Sequence, residues 1–344
     1  MNFLTAFLVA QPALLSPLQD PEPEVVPTSE GTELDLWDRP DTRPPVSAWW
    51  SEVLEEGSWA VGYRFRHLSY DGLRDSRDDV SSSDVFGQGY DEAPEEMQVS
   101  THTLEFVYGL REFTSVFLTM PFHTKDLSGD ATAGELDQES SGLGDLILGV
   151  IHHCCSTDAG GKLLLHLGLG IPTGSIDEDG DAPGGGETKL PFPMQLGTGT
   201  FNLHPGLYWI QTAETYTWGA GARWRVHLER NDEGYAPGDS GTIQAWVSKE
   251  ISNDTIGILR LQTQLWGDYH GSDDELDVFE NPLNDDERQG GARTDIFAGL
   301  GIELGSEGSM SRLDIEVGIP IDEWLDGPQL SNEWSLGLGW RYSF

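Results

Sequence analysis

The sequence predicts an all-β fold, a transmembrane antiparallel up-and-down β-barrel of about twelve strands. Three observations support this prediction. Apolar and polar residues alternate with a period of two in twelve segments. Short and long connections alternate along the chain, and the last segment, EWSLGLGWRYSF, ends on the aromatic residue Phe344. Tight turns at one membrane face and long loops at the other are typical of this class of barrel.

Two segments are expected to precede the barrel. Residues 1–16 contain a short apolar run, too brief for a spanning helix, and we interpret them as a signal peptide. A disordered apolar tail is the alternative. Residues 17–57 are acidic and rich in proline, which is typical of a linker, here on the periplasmic side. The barrel is expected to occupy residues 58–344.

The alternation predicts where the strands lie. In the first one, Trp59 and Tyr63 share a face and Arg64 and Arg66 share the other, because successive side chains of a strand point to opposite faces. The twelve segments are residues 58–68, 100–110, 113–123, 142–153, 161–173, 199–211, 215–229, 241–251, 255–266, 292–304, 311–321 and 333–344. An even number of strands places both termini in the periplasm.

The connections distinguish a membrane barrel from a soluble sandwich. Links between strands 2–3, 4–5, 6–7, 8–9 and 10–11 are short, whereas the other six are long. A sandwich has no reason to alternate in this way, and about 9–11 tilted residues are enough to cross the hydrocarbon. Tryptophans near both strand ends fit interfacial aromatic girdles; these are Trp59, Trp209, Trp218, Trp224, Trp334 and Trp340.

The net charge of −40, from 59 acidic and 19 basic residues, limits the partners of the chain. Binding to nucleic acid or to anionic lipid surfaces requires clustered Lys and Arg, so neither is predicted. Most acids lie in the long loops. The strands carry nine acids, namely Glu105, Asp145, Glu229, Glu250, Asp295, Glu303, Asp314, Glu316 and Glu333. They carry nine basic residues, namely Arg64, Arg66, Lys162, Arg223, Arg225, Arg260, Arg293, Arg312 and Arg341.

These strand charges are expected to face the lumen, because a charge facing lipid near the midplane costs about 2–4 kcal/mol. Two interpretations of the lumen are open. Opposite charges on neighbouring strands could fill a narrow barrel, or they could line a channel whose selectivity depends on them. Glycine-rich inner faces favour a channel. The predicted pore-lining residues are Arg64, Arg66, Asp145, Arg223, Arg225, Arg260, Asp295 and Glu316.

The sequence predicts neither a metal site nor a cofactor. Cys154 and Cys155 follow His152 and His153, but consecutive strand residues cannot easily converge on one ion, so a strand end is the better explanation. The loop at 177–187 resembles a calcium-binding loop only in part, since Ala182 stands where glycine is required. Weak binding of divalent cations to the acidic loops is the alternative left open.

Six segments carry a resemblance to a known family: DGLRD (71–75), SSGLGDLILG (140–149), GIPTGSI (170–176), LPFPMQLGTGT (190–200), RNDEGYAPGD (230–239) and LDGPQL with WSLGLGWRYSF (325–344). Through them, residues 58–344 resemble the outer-membrane barrels of the phenol-degradation meta-pathway (MetA-like) type. The resemblance implies a barrel that passes small molecules, but it implies no particular substrate. A methionine-rich first hairpin, associated with metal transport in this family, is missing here.

The predicted function is therefore an outer-membrane channel for passive passage of small solutes, hydrophobic or aromatic compounds among them. Its partners are outer-membrane lipid and the solute. One alternative is a structural or adhesive barrel that does not conduct. A second is a hydrolase of outer-leaflet lipids or esters, because His67, Ser69, Ser100 and His102 share an outward phase near the external rim. No G-x-S-x-G, Walker or H-E-x-x-H motif occurs in the sequence.

Overall fold

Antiparallel strands account for most of the regular structure. The computed structural model describes residues 40–45, 52–252, 254–306 and 309–344, so the predicted signal peptide and much of the predicted linker lie outside the described residues. The strands within the described part are β1 (Trp59–Ser76), β2 (Asp78–Val80), β3 (Glu92–Arg111), β4 (Thr114–Ala131), β5 (Gly134–Leu143), β6 (Leu146–Ser156), β7 (Gly161–Ile171), β8 (Asp179–Asp181), β9 (Glu187–Lys189), β10 (Asn202–Thr212), β11 (Thr217–His227), β12 (Ser240–Ser252), β13 (Thr255–Trp266), β14 (Gly291–Ser306) and β15 (Ser309–Ser343).

Within the described ranges, helical structure is short and is found outside the barrel strands. The α-helix α1 (Ser82–Gln88) begins with a capping box between Ser81 and Asp84 and ends at Gly89, which has a left-handed φ of 102°. Three 3₁₀ turns comprise Pro40–Thr42, Phe192–Met194 and Pro282–Asn284. Among the described residues, no helix is long and apolar enough to cross a membrane.

Eleven strands form a closed antiparallel ring in the order β1, β3, β4, β6, β7, β10, β11, β12, β13, β14 and β15. Pairing of β15 with β1 closes the ring, with Ala60 opposite Ser343. At this seam, the amide of Trp59 donates to the carbonyl of Phe344 and the amide of Phe344 donates back, both at 2.9 Å. The chain end that the sequence marks as a final strand is therefore the closing edge of the barrel.

The long element β15 crosses the wall twice. Its first part pairs with β14, up to Leu325 opposite Gly291, and its last part pairs with β1. The chain reverses at Gly327, where φ is 103°. Trp340 Nε1 donates to Ser311 Oγ at 3.0 Å, so the two parts run side by side. The ring of eleven elements thus has twelve crossings, as the sequence predicts.

The two faces of the wall differ as the alternation requires. Large apolar side chains are exposed on the outer face, including Leu148, Leu167 and Leu259, which are 49–56% exposed. Five of the six girdle tryptophans are also exposed, and Trp209 is half-buried. Buried polar and charged side chains occupy the inner face. An apolar outer surface on a closed ring is stable only against lipid.

The sheet extends beyond the predicted strands at the external end. Strands β1, β3 and β4 each continue for about eight residues past the predicted boundary, and β5 pairs with the external half of β4. These extensions were predicted to be loop, which is wrong. Polar residues occupy both faces there, for example Lys125 on the inner face and Asp126 on the outer face, because neither face contacts lipid. The period-two signal therefore disappears.

Candidate functional site

The inner wall holds a series of buried ion pairs. Arg64 on β1 pairs with Glu105 on β3, and Arg260 on β13 pairs with Glu316 on β15 at 3.3 Å. Within single strands, residues two apart pair in the same way: Arg293 with Asp295 at 3.1 Å, and Arg312 with Asp314 at 2.9 Å. Such pairs satisfy charges that would otherwise be buried alone.

The eight predicted pore-lining residues divide into three groups. Arg64, Arg260, Asp295 and Glu316 belong to the ion pairs just described. Arg66, Arg223 and Arg225 lie on the same inner face; Arg66 is exposed and the other two are half-buried. Neither Arg66 nor Arg225 forms an ion pair with another residue that the structure describes. The eighth residue, Asp145, lies elsewhere.

Asp145 lies just before β6. The strand begins at Leu146, four residues later than the sequence predicts. Its Oδ1 accepts from the amides of Thr173 and Gly174 at 3.1 and 3.0 Å. Its Oδ2 accepts from the amide and the hydroxyl of Thr198 at 2.9 and 2.6 Å. Asp145 therefore joins three of the segments that carry the family resemblance, at the external end of the barrel.

Aromatic rings cover glycines of the inner wall. In each case the ring and the glycine are direct cross-strand partners; the pairs are Phe117 with Gly149, Tyr208 with Gly221, Trp246 with Gly219 and Phe297 with Gly318. A Cβ at any of these glycines would lie within 2.1–2.7 Å of the ring. The space that the glycines were expected to leave is thus occupied by rings lying against the wall.

Part of the N-terminal segment lies inside the periplasmic end of the ring. Leu54 is 7% exposed and packs with Val107, Phe117 and Ile151 from three wall strands. Val53 packs against the same cluster and against a second one on β7, β10 and β12. These apolar contacts place the segment across the lumen.

Polar contacts hold the same segment in place. The amide of Leu54 donates to Ser115 Oγ at 2.9 Å, and Ser248 Oγ donates to the carbonyl of Asp41 at 2.7 Å. Glu52 forms an ion pair with Arg341 of the wall at 3.3 Å. These residues of the predicted linker, in 40–45 and 52–57, form what we call the inner segment.

The external end is covered by loops with an apolar core of their own. This external cap is built from α1, the strand extensions and the two external 3₁₀ turns. Its buried residues are Leu73, Val85, Ala93, Met97, Leu127, Leu136, Leu190, Met194, Leu283 and Leu330. Lys125 Nζ donates to the carbonyls of Pro193 and Gln195 at 2.7 and 2.5 Å, so the LPFPMQ segment is tied to the inner side of β4.

A lysine joins three external loops. Lys189 Nζ lies 2.8 Å from Asp273, 3.4 Å from Asp177 and Glu275, and 3.8 Å from Glu233. Burial lowers the pKa of Lys189, but the hydrogen bond to Asp273 and the surrounding carboxylates outweigh it and raise the pKa above its ordinary value. Carboxylate oxygens of Glu233, Asp273 and Glu275 lie within 4.8 Å of one another, a grouping suited to a cation. The ammonium group of Lys189 already forms ion pairs with all three of these acids.

The chain has structural relatives among outer-membrane barrels. It is similar to an outer membrane channel from Pseudomonas putida F1, with a TM-score of 0.62 at 16% identity over 86% of this chain and 98% of that one. The fold is that of an outer-membrane β-barrel. Together with the apolar outer face, this makes the chain a transmembrane barrel of the bacterial outer membrane, as predicted.

Other relatives are more distant. A FadL homologue from Pseudomonas aeruginosa has a TM-score of 0.38 at 8% identity, covering 84% of this chain and 89% of that one. The channel CymD, described as a monoaromatic hydrocarbon channel, has a TM-score of 0.39 at 8% identity over 84% and 88%. At these scores neither bears on the function of this chain. The chain matches no family model and no curated protein.

The predicted rim site is only partly assembled. His67 Nδ1 lies 3.0 Å from Ser100 Oγ, but His102 bonds to the hydroxyl of Tyr63 instead, at 2.7 Å. The ring of His67 packs against Trp334 at 5.2 Å between centroids. Among the described residues, no carboxylate bonds to His67 to orient it as a general base, as a hydrolytic triad requires.

The HHCC sequence lies at the periplasmic end of β6, as predicted. Both cysteines are free and exposed. His152 and His153 bond to the hydroxyls of Thr114 and Ser156 at 3.0 and 2.8 Å. The two histidines thus bond to hydroxyls of different strands or turns.

Sequence reasoning missed the histidines of the inner face. His166 and His204 are 6% and 3% exposed, and both lie in the phase of the buried side chains of β7 and β10. That phase was available from the sequence. Their position beside arginines of β11 depends on strand order and register, which the sequence does not show residue by residue.

Proposed function

We propose that the barrel is an outer-membrane channel for passive passage of small solutes, hydrophobic and aromatic compounds among them. The observation that carries this proposal is Arg66. Its side chain is exposed although it lies on the inner face of β1. Its charged neighbours, Arg260, Arg293 and Asp295, lie on β13 and β14, beyond the adjacent strand β15. Accessible space inside a closed ring is what a solute path requires.

The lining of this path suits solutes that are not strongly hydrophilic. Seven of the eight predicted pore-lining residues, all except Asp145, supply polar groups, and the rings of Phe117, Tyr208, Trp246 and Phe297 supply apolar groups beside them. The resemblance to the phenol-degradation meta-pathway type of barrel supports passage of small molecules but points to no particular solute.

Passage requires movement at both ends. The inner segment fills the periplasmic end through Val53 and Leu54, and the external cap covers the other end. We assign the resting state of the channel to this closed form. Opening then consists of two movements, withdrawal of the inner segment at the periplasmic end and displacement of the LPFPMQ segment from β4 at the external end.

Single-channel recording in planar bilayers tests the proposal. The full chain is expected to show low conductance with brief openings, and Arg66→Gln is expected to change the cation-to-anion permeability ratio. Arg77→Gln is a matched control, because Arg77 is exposed and pairs with Asp322 outside the lumen. A folded, inserted barrel that never conducts would contradict the proposal and favour a structural or adhesive role. Heat-modifiable migration on a denaturing gel verifies folding in each case.

A further inference from the structure

Strands β7, β10 and β11 bring basic side chains together on one part of the inner wall. We call His166, His204, Arg223 and Arg225 the histidine–arginine cluster. His166 lies opposite Gly206, and Gly206 lies opposite Arg223 on its other side. The pairs Leu203–Val226 and Gly206–Arg223 fix the register that places His204 opposite Arg225. Four basic side chains from three strands therefore face the same part of the lumen.

Two atoms of this cluster are buried and unpartnered. His204 Nδ1 and His166 Nε2 have no hydrogen-bond partner among the described residues, although the side chains are only 3% and 6% exposed. Buried polar atoms are almost always hydrogen-bonded, so unpartnered ones in a lumen indicate a place for a ligand. A histidine nitrogen that carries the proton donates to an anionic oxygen.

The acids near the cluster are already engaged. Asp145, the acid that interacts most strongly with Arg225, accepts four hydrogen bonds from Thr173, Gly174 and Thr198. Glu105, a neighbour of Arg223, pairs with Arg64. Arg225 therefore forms no ion pair with a described residue, whereas Arg260 and Arg293 elsewhere on the inner wall do.

The other side of the cluster is apolar. The ring of His166 lies 5.2 Å from that of Tyr208 and 6.0 Å from that of Phe117. Gly168 and Gly206 leave the wall between the basic side chains without side-chain bulk. A Cβ at Gly168 would lie 3.2 Å from His204, and one at Gly206 would lie 3.3 Å from His166. A ligand at this place would meet basic groups on one side and aromatic rings on the other.

We propose that the histidine–arginine cluster binds the carboxylate of a small organic acid with an apolar body. The guanidinium of Arg225 and the nitrogens of His204 and His166 bind the carboxylate, and the aromatic rings contact the body. This inference rests on the proposed channel function and names a solute class for it. The acidic loops do not prevent such binding, because at physiological salt their field decays over about 8 Å.

Calorimetric titration of the full chain in detergent micelles with benzoate tests this site. Benzyl alcohol is the neutral comparison, and protein-free micelles correct for partitioning. We expect saturable binding of benzoate and at least tenfold weaker binding of benzyl alcohol. Arg225→Gln and His204→Gln are each expected to weaken benzoate binding at least tenfold, whereas Arg77→Gln leaves it unchanged.

Three results would overturn the proposal: no saturable binding of benzoate, equal binding of both compounds, or folded cluster variants that bind as the unaltered chain does. If Arg225→Gln does not fold, the test of the site rests on benzoate binding by His204→Gln and on the comparison of benzoate with benzyl alcohol. Binding requires no conduction, so the two proposals fail separately. A barrel that binds benzoate without conducting loses the channel, and one that conducts without binding it loses only this site.

Discussion

Substitution of Gly221 by alanine tests whether the aromatic rings are fixed against the inner wall. A Cβ at this position would lie 2.1 Å from Tyr208 Cδ1 and 2.7 Å from the carbonyl oxygen of Leu207. The ring would have to retreat by about 1.3 Å to reach ordinary contact at 3.4 Å. Tyr208 is 3% exposed and packs with Leu164 and Trp246, so little room exists for this movement.

Overpacking of this kind costs about 1–3 kcal/mol. With an m value of about 2 kcal/mol per molar urea, a loss of about 2 kcal/mol lowers the unfolding midpoint by about 1 M. The assay is urea unfolding of the barrel in micelles, followed by tryptophan fluorescence. Gly257→Ala is the matched control, because the nearest atom to a Cβ there is 3.4 Å away.

The control variant is expected to keep or slightly raise the midpoint, since alanine reduces the freedom of the unfolded chain. Equal midpoints for the two variants would refute the reasoning. Truncation of Tyr208 to leucine in the Gly221→Ala background should restore part of the lost stability, because the two substitutions share one contact.

The ion pairs, the inner segment, the loop lysine and the rim each allow a further test. Glu316→Gln removes one partner of a buried pair and is expected to lower the free energy of unfolding by about 3–5 kcal/mol, whereas Asp322→Asn, in an exposed pair, leaves the urea midpoint unchanged; equal effects would contradict this. Leu54→Ala is expected to remove about 2 kcal/mol or more of packing energy from the closed form. The open probability in bilayer recordings should therefore rise at least tenfold. An unchanged current would argue against closure by this residue. Because folding raises the pKa of Lys189, the lysine stabilises the external loops at every pH below its ordinary pKa of 10.5, and this stabilisation is lost as the pH rises through the higher pKa of the folded state. Limited proteolysis should therefore find these loops protected at neutral pH. Cleavage that already begins near pH 8 would oppose the assignment. At the rim, ester hydrolysis by the chain should not exceed that of His67→Ala, and activity lost in this variant would establish a catalytic site there.

Lipid contact determines which parts of the fold the sequence predicts. Strand β13 begins and ends where the alternation predicts, at residues 255 and 266, because Leu259, Leu261 and Leu265 mark its outer face. The hairpin of β4 and β5 lies above the lipid, where Asp126 pairs in register with Glu139 and neither face needs to be apolar. Contact with lipid thus explains why the strand boundaries are predicted correctly within the membrane and why the strand extensions outside it are missed.

The lumen is less predictable, because its contents come from distant parts of the chain. The strand phase correctly places Arg64 and Arg260 on the inner face, but their partners depend on register and strand order. Leu54 lies in a segment whose composition indicates a linker, yet it is buried among residues of three wall strands. Asp145 was assigned to a strand, although its bonds to Thr198 belong to a loop. Composition and periodicity contain no information about such contacts.

Closure at both ends of the barrel has a consequence for the integrity of the outer membrane. If each closure is open for about 1% of the time and the two open independently, both are open together for about one part in ten thousand. A solute that can wait in the lumen needs only one opening at a time, whereas an ion that does not bind there needs both at once. The time that a solute stays bound between the inner segment and the external cap would thus distinguish it from ions that pass without binding. Such selectivity needs no constriction narrower than the solute itself.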